Sequence, residues 1–166
     1  MSAYKWLAEQ CSSKKTEDIK KKRPYRKHTV KVVIDHGATM PTRAHKWDAG
    51  YDIYSRQDAV IPQDSSCRFD TGVHIEIPAG YVGFLKSKSG LNVKSGIQSE
   101  GVIDAGYTGS ICVKLYNHGS QAVEIKRGQK ISQLVLLPII TPELELVDSL
   151  EDTERGTGGF GSTGAF

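Results

Sequence analysis

Two aspartates lie in short, glycine-containing segments where a carboxylate could do chemistry. Asp52 stands in AGYDIYS (49–55), and Asp104 stands in GVIDAGYTG (101–109), three positions before Tyr107. An aspartate before Ala-Gly is often an Asx-turn residue, and an aspartate in a strand is often solvated. The alternative for Asp104 is a general base beside a ring that can stack. Each segment taken alone favours the structural role.

A third segment, KSKSGL (86–91), combines cations, hydroxyls and a glycine. It would lie where a strand passes into a helix, and backbone N–H groups at a helix start, backed by Lys88, could hold a phosphate. Ser89 adds a hydroxyl to the same junction. A plain capped turn has a similar pattern, so both interpretations stay open.

The last segment, RGTGGFGSTG (155–164), has five glycines in the nine positions 156–164. A flexible linker has this composition. A loop that closes on a nucleotide needs the same residues, because backbone donors then approach closely, Arg155 offers bidentate contacts and Phe160 can stack on a base.

The elements that must position these segments are strands, since apolar residues recur at every second position. In 73–77 and 110–116 the apolar residues share one face and the polar residues share the other. Residues 130–137 are apolar on both faces toward their end, which predicts an interior strand closed by Pro138. The other strand candidates are 29–34, 49–54, 81–86, 121–125 and 143–147.

One short helix is predicted from Ser87 to Val93, with Ser87 or Ser89 as its N-cap. Many short strands separated by glycine, proline and asparagine turn signals predict an all-β fold of the sandwich, jelly-roll or barrel type. The length of 166 residues fits one domain with a tail.

The charge is divided unevenly along the chain. The formal net charge is +3, but residues 1–28 carry nine Lys or Arg against three Asp or Glu, and the remainder is slightly acidic. All 17 glycines lie from Gly37 onward. Residues 1–28 are therefore predicted to be a basic, disordered extension, for which a solvated arm is favoured over nucleic-acid binding.

Several classes of protein are excluded by composition. No apolar run approaches the roughly 18 residues of a membrane span, and the first residues lack the apolar region of a signal peptide. The three cysteines never form a C-x-x-C pair, which argues against a disulfide framework or a zinc site. These features predict a cytoplasmic protein, or one of the host-cell cytoplasm or nucleus if the source is viral.

Taken in order, five segments resemble the five motifs of the trimeric dUTPases, the deoxyuridine triphosphate nucleotidohydrolases. They are AGYDIYS, SKSGL, GVIDAGYTG, RGQKISQLV and RGTGGFGSTG, and the resemblance covers about 30–166. It implies a jelly-roll-like β-barrel or sandwich with one short helix, at 29–150. It also implies a homotrimer in which a glycine-rich arm, 151–166, is exchanged between subunits and closes over the nucleotide.

The resemblance further implies hydrolysis of dUTP to dUMP and pyrophosphate, which limits uracil in DNA and supplies dUMP for dTMP synthesis. Asp104 would deprotonate the water that attacks the α-phosphorus, and Tyr107 would lie against the deoxyribose and exclude a 2′-hydroxyl. Asp52 would reach, through water, a Mg²⁺ held mainly by the triphosphate. In this family motifs one, two and four come from one subunit, motif three from a second and the tail from a third.

Substrate contacts carried over from the family fall into three groups. Backbone groups of 98–109 would read uracil, Lys88, Ser89 and Gln133 would contact the phosphate chain, and the arm would stack on the base and bind the γ-phosphate. The full set is Lys88, Ser89, Gly90, Gln98, Gly101, Ile103, Tyr107, Gln133, Arg155, Phe160, Gly161, Ser162 and Thr163.

Two residues depart from the family pattern. Lys88 stands where the family commonly has arginine, and Gly106 stands where it often has an acid. Two alternative functions are weighed beside the hydrolase. One is a dCTP deaminase of the same fold, which the complete glycine-rich tail disfavours. The other is a non-catalytic nucleotide-binding regulator that uses the basic extension to hold nucleic acid or a protein.

Overall fold

The computed structural model describes residues 29–159, which form ten strands and one helix. The strands are β1 (Lys31–Ile34), β2 (Gly50–Tyr54), β3 (Ala59–Ile61), β4 (Ser65–Asp70), β5 (Val73–Glu76), β6 (Tyr81–Ser87), β7 (Ile97–Ile103), β8 (Cys112–Asn117), β9 (Val123–Ile125) and β10 (Lys130–Pro138). The helix is α1 (Ser89–Ser95). The predicted all-β class with one short helix is confirmed. In residues 29–159 no helix is long and apolar enough to cross a membrane.

One six-stranded sheet carries most of the molecule. Its strand order is β2-β10-β6-β7-β8-β4, and two-stranded ladders β1-β5 and β3-β9 accompany it. Every one of these pairings is antiparallel. The strand β10 lies between β2 and β6, as its apolar sequence predicts, and it ends at Pro138.

The hydrophobic core is built from the inward faces of the alternating strands. Ile75 and Ile77 are buried after Val73, and Val113 and Leu115 are buried after Ile111, which confirms both predicted alternations. Each strand of this kind turns its polar residues outward, because successive side chains point to opposite faces.

The helix begins two residues later than predicted, and the predicted cap is wrong. Its N-cap is Lys88, which makes no side-chain capping hydrogen bond. Ser87 instead belongs to β6, where its Oγ accepts from the Ser99 N–H at 3.0 Å and donates to the Ser99 carbonyl at 3.2 Å. The Ser87 hydroxyl is therefore bonded to Ser99 on β7 and does not cap the helix. The helix ends at Gly96, whose φ of 67° suits a residue without a Cβ.

The predicted strand 143–147 is wrong within the subunit. This segment follows β10 but pairs with no strand of residues 29–159, and Leu144 and Leu146 are 98% and 100% exposed. Its leucines therefore pack against no surface formed by residues 29–159. The strands β3, β4 and β7 were not among the predicted strands. In β4, Ser65–Asp70 is mostly polar and only Phe69 is buried.

Candidate active site

Asp52 is the centre of a charged cluster at the end of the interior strands. It lies on β2 and is buried, although alternation places it on the face opposite to the core residue Ile53. Its Oδ1 accepts from Lys88 Nζ at 2.5 Å, and its Oδ2 pairs with Lys130 Nζ at 2.7 Å. Burial opposes ionisation, but the hydrogen bonds from Lys130 and Lys88 outweigh it, so the pKa of Asp52 is lowered. The solvated aspartate considered for this position is therefore not what the fold contains.

Gln133 brings the fourth motif to the same cluster. On β10 it lies opposite Asp52 on one side and opposite Lys86 on the other. Its Nε2 donates to the Ser87 carbonyl at 3.1 Å, which ties the side chain to the last residue of β6. Ser89 and Gly90 are exposed at the start of α1, directly after Lys88. Motifs one, two and four thus meet at one place in the subunit.

Lys130 was not singled out from the sequence. It lies three positions before Gln133 in RGQKISQLV, on the strand that pairs with β2. No signal in the sequence identifies it, because its contact with Asp52 depends on the register of β10 against β2. Its hydrogen bond to Asp52 raises the pKa of Lys130, so it remains a cation.

The third motif forms the turn between β7 and β8. Asp104 is exposed, and its carboxylate makes no hydrogen bond with the described part of the chain. The turn is closed by the backbone, with the Tyr107 N–H donating to the Asp104 carbonyl at 3.2 Å. An Asx turn is therefore not formed, and the carboxylate is left open to solvent.

Tyr107 lies in the same turn as Asp104, and its side chain is held by its own loop. Its Oη donates to the Ser110 carbonyl at 3.0 Å, and its ring lies against Gly109. A Cβ added at Gly109 would lie 2.6 Å from Cζ of the ring. Only glycine leaves this ring its position.

The other predicted residues of the hairpin lie on β7. Gln98 is exposed opposite Tyr116, and Gly101 lies opposite Leu85. Ile103 is buried opposite Gly83. The backbone predicted to read uracil therefore lies along β7, which runs from the end of α1 to the Asp104 turn.

Asp104 and Lys88 lie at opposite ends of β6. Asp104 follows Ile103, which pairs with Gly83, whereas Lys88 follows the other end of β6. Gly83 and Lys88 are five positions apart in the sequence, a span of about 17 Å in extended backbone. One subunit therefore does not bring the Asp104 carboxylate to the Asp52 cluster.

Of the predicted arm residues, the structure describes Arg155. It is exposed, and its Nε donates to the Gly158 carbonyl at 3.1 Å in a local turn that contacts none of the other predicted site residues described. Phe160, Gly161, Ser162 and Thr163 lie outside the described residues.

The donor set of the Asp52 cluster suits a metal ion whose ligands are supplied mainly by the substrate. No group of three or more His, Cys, Asp or Glu side chains occurs in residues 29–159 that could hold a metal by itself. Asp52 is the single carboxylate of its cluster, and two lysines already occupy it. Mg²⁺ commonly binds through one or two carboxylates together with substrate phosphates, and this donor set fits that mode.

Comparison with known proteins gives consistent results. A family model for dUTPase matches residues 36–164. The deoxyuridine 5′-triphosphate nucleotidohydrolase of Candida glabrata is 44% identical over 137 residues, which are 81% of this chain and 94% of that protein. The enzyme of the same name from Clostridium tetani is 38% identical over 141 residues, which are 82% of this chain and 97% of that protein.

Solved structures agree with the sequence relatives. Staphylococcus bacteriophage 80alpha dUTPase with dUpNHpp superposes with a TM-score of 0.78 at 35% identity and covers 82% of this chain and 99% of that chain. A mutant dUTPase of phage phi11 of S. aureus, described for the coordination of a structural Mg(II) ion, gives 0.70 at 33% identity and covers 75% of this chain and 100% of that chain. The chain is a member of the dUTPase family.

Proposed function

We propose that the protein hydrolyses dUTP to dUMP and pyrophosphate, with Asp104 as the general base. Membership of the family and the presence of all five motifs support the substrate. The observation that carries the role of Asp104 is its exposed carboxylate, which no described residue occupies, in the same turn as Tyr107. A carboxylate that is open to solvent can accept a proton from water, whereas the paired Asp52 is occupied by two lysines.

The chemistry we propose is attack of water on the α-phosphorus. Asp104 takes the proton of the attacking water, and pyrophosphate leaves. A base placed in this way contributes roughly 10²–10⁴ in rate. Further stabilisation comes from cations beside the phosphates, since phosphoryl transfer depends chiefly on positioning and on charge. Lys88 and Lys130 are the cations that the Asp52 cluster offers.

Mg²⁺ is the cofactor we propose, held mainly by the triphosphate. It would neutralise charge on the phosphate oxygens as a Lewis acid. Asp52 would contact its hydration shell through the carboxylate that the lysines now share. Gln133, Ser89 and the backbone at Gly90 would contact the phosphate chain from the same end of the sheet, because they surround Lys88.

Selectivity for the sugar and the base is assigned to the hairpin and the arm. Tyr107 would lie against the deoxyribose and leave no room for a 2′-hydroxyl. The backbone at Gln98, Gly101 and Ile103 would read the edge of uracil. Arg155 and the segment 160–163 would close over the base and the γ-phosphate once the nucleotide is bound.

We propose that the active protein is a homotrimer whose sites are shared. The separation between Asp104 and the Asp52 cluster supports this, since a site complete in both parts needs the hairpin of a second subunit. The exposed segment 139–150 supports the exchange of the arm, because residues 29–159 leave its large apolar side chains between 41% and 100% exposed. In this account 29–150 is the domain, 151–166 is the arm and 1–28 is a basic extension of unassigned role.

The experiment that tests this function is turnover on a panel of nucleotides with and without Mg²⁺. We expect pyrophosphate release from dUTP and little from dTTP, dCTP or UTP, and we expect activity to fall when Mg²⁺ is removed. Ammonia release from dCTP would instead identify a deaminase. Asp104→Asn should lose about 10²–10⁴ in kcat while dUTP still binds.

A matched control is Asp64→Asn, because Asp64 is an exposed loop aspartate away from the five motifs. It should keep full activity. Full activity in Asp104→Asn would contradict the assignment of the base, and no turnover of dUTP by the wild type would contradict the function itself.

A further inference from the structure

His74 joins the Asp104 hairpin to the rest of the sheet. It lies on β5, and its side chain is 29% exposed. Its Nδ1 lies 2.8 Å from the carbonyl oxygen of Thr108, the residue that follows Tyr107. Its Nε2 lies 3.3 Å from Oδ1 of Asp35, just after β1. The imidazole therefore bridges two segments that are far apart in sequence.

Both partners of this ring are acceptors. A carbonyl oxygen cannot donate, and an ionised carboxylate cannot donate either. A neutral imidazole carries one N–H, so it can satisfy only one of the two. The imidazolium carries two and satisfies both Thr108 and Asp35. The bridge is therefore complete only when His74 is protonated.

Neighbouring contacts hold the base of the hairpin but end before Thr108. The Ser110 hydroxyl donates to Asp70. The Thr71 hydroxyl donates to the Ile111 carbonyl at 2.7 Å, and the Ile111 N–H donates to the Val73 carbonyl at 2.8 Å. His74 is the contact with β5 that lies nearest along the chain to Tyr107. Its loss would loosen the part of the hairpin that carries the ring and the carboxylate.

We propose that protonated His74 is a positioning residue, which holds the Asp104–Tyr107 turn in its active geometry through Thr108. The inference rests on the proposed function for its kinetic consequence, but the bridge itself can be tested without turnover. Displacement of a reacting group by about 1 Å can cost roughly 10²-fold in rate. We expect partial loosening of the hairpin to cost about tenfold in kcat/KM.

The charges around His74 give the pH dependence its direction. The Thr108 carbonyl raises the pKa of His74, and burial opposes this while Asp35 and Asp70 add to it. Arg56 is the nearby cation, and its Nη1 is itself paired with Asp35 at 3.2 Å. On the same ladder Glu76 is paired with Lys31 at 2.9 Å. Because the folded pKa is raised, the bridge is fully present below about pH 6.5 and is lost as pH rises through the folded value.

The first test measures the bridge directly. Ring NMR titration of the whole protein should give His74 a pKa above the ordinary imidazole value of about 6.5. Asp35→Asn should lower the pKa of His74 toward that ordinary value. Hydrogen exchange at 104–110, corrected for intrinsic rates, should become faster in His74→Ala at pH 6. An unshifted pKa of His74, or unchanged exchange, would overturn the proposal.

The second test measures the kinetic consequence. The ratio of kcat/KM for dUTP between wild type and His74→Ala should be about ten at pH 6 and should fall as pH rises through the His74 pKa, because the neutral ring can satisfy only one of its two partners. Asp35→Asn should move the pH dependence of the wild-type rate to lower pH, and it serves if His74→Ala does not fold. His36→Ala should give a ratio of one throughout. A ratio that does not change with pH would mean a merely structural role and would overturn the proposal.

The two tests separate the inference from the function on which it rests. If the wild type does not turn over dUTP, the proposed function fails, and titration and exchange still decide whether His74 holds the hairpin.

Discussion

Asp52 and Asp104 are the same type of residue, but their environments are opposite. Asp52 is buried and bonded to two lysines, whereas Asp104 is exposed and bonded to none of the described residues. In the proposed function, Lys88 and Lys130 exchange their carboxylate partner for phosphate oxygens of the substrate. The open carboxylate can hold a water. This difference divides the proposed chemistry between a binding cluster and a base.

A single small residue sets the position of the Tyr107 ring. Gly109→Ala would place a Cβ 2.6 Å from Cζ of this ring, which is too close, and the half-exposed ring has room to shift. We expect the preference for dUTP over UTP, measured as the ratio of kcat/KM values, to fall by roughly tenfold, or about 1.4 kcal/mol.

The control for this substitution is Tyr107→Phe, which keeps the ring and removes only its hydrogen bond to the Ser110 carbonyl. It should retain most of the preference for dUTP. An unchanged preference in Gly109→Ala would argue against sugar selection by this ring.

For single residues, the sequence motifs identify the candidate functional residues but not the side chains with which they pair. Asp52, Lys88 and Gln133 could be predicted to lie together because their motifs recur in one family. Lys130 and the bridge from His74 to Asp35 could not, because each joins residues that are distant in sequence and depends on strand register.

The strands β6 and β10 form the frame on which the two parts of the site are mounted. The register of β10 against β2 and β6 brings Gln133 to Asp52 and to the end of β6. The length of β6 separates that cluster from the Asp104 turn. A substitution that weakens the packing of β10 should therefore lower the free energy of unfolding more readily than it changes substrate specificity.

Leu134 on β10 gives a direct measure of this frame. It is fully buried, at 0% exposure, and packs in the core that the alternating strands share. Leu134→Ala should lower the free energy of unfolding by about 2–5 kcal/mol, measured by denaturant titration, because it leaves a cavity.

Val93→Ala serves as the matched truncation on α1, where the side chain is 83% exposed. It should change stability by less than about 0.5 kcal/mol. Equal effects of the two substitutions would mean that β10 is not a core strand.

Element prediction succeeds where alternation reports burial within the subunit. The strands around Val73 and Ile111 follow the predicted alternation because one face meets the core. The prediction of a strand at 143–147 fails because the described part of the chain leaves Leu144 and Leu146 exposed, and alternation does not say which chain provides the cover. The strand β4 was not predicted because its pairing with β8, rather than its own polar sequence, determines its structure.

At the scale of the whole molecule, charge and apolar exposure both point beyond the single subunit. The basic residues concentrate at 1–28, so the net charge of +3 does not describe the domain. The exposed leucines of 139–150 and the distance between the two parts of the site are both explained by the proposed trimer. Family resemblance predicts this assembly, and the sequence pattern by itself does not.

Mixing two inactive subunits tests the central claim most directly. Asp104→Asn loses the base, and Lys88→Met, at the opposite end of β6, loses a phosphate contact. If each site takes these residues from different chains, random hybrid trimers at equal ratio should have about a quarter of their sites intact. We expect dUTP turnover to recover to about that fraction once hybrid trimers are verified by mass spectrometry. No recovery above the separate variants would contradict a shared site.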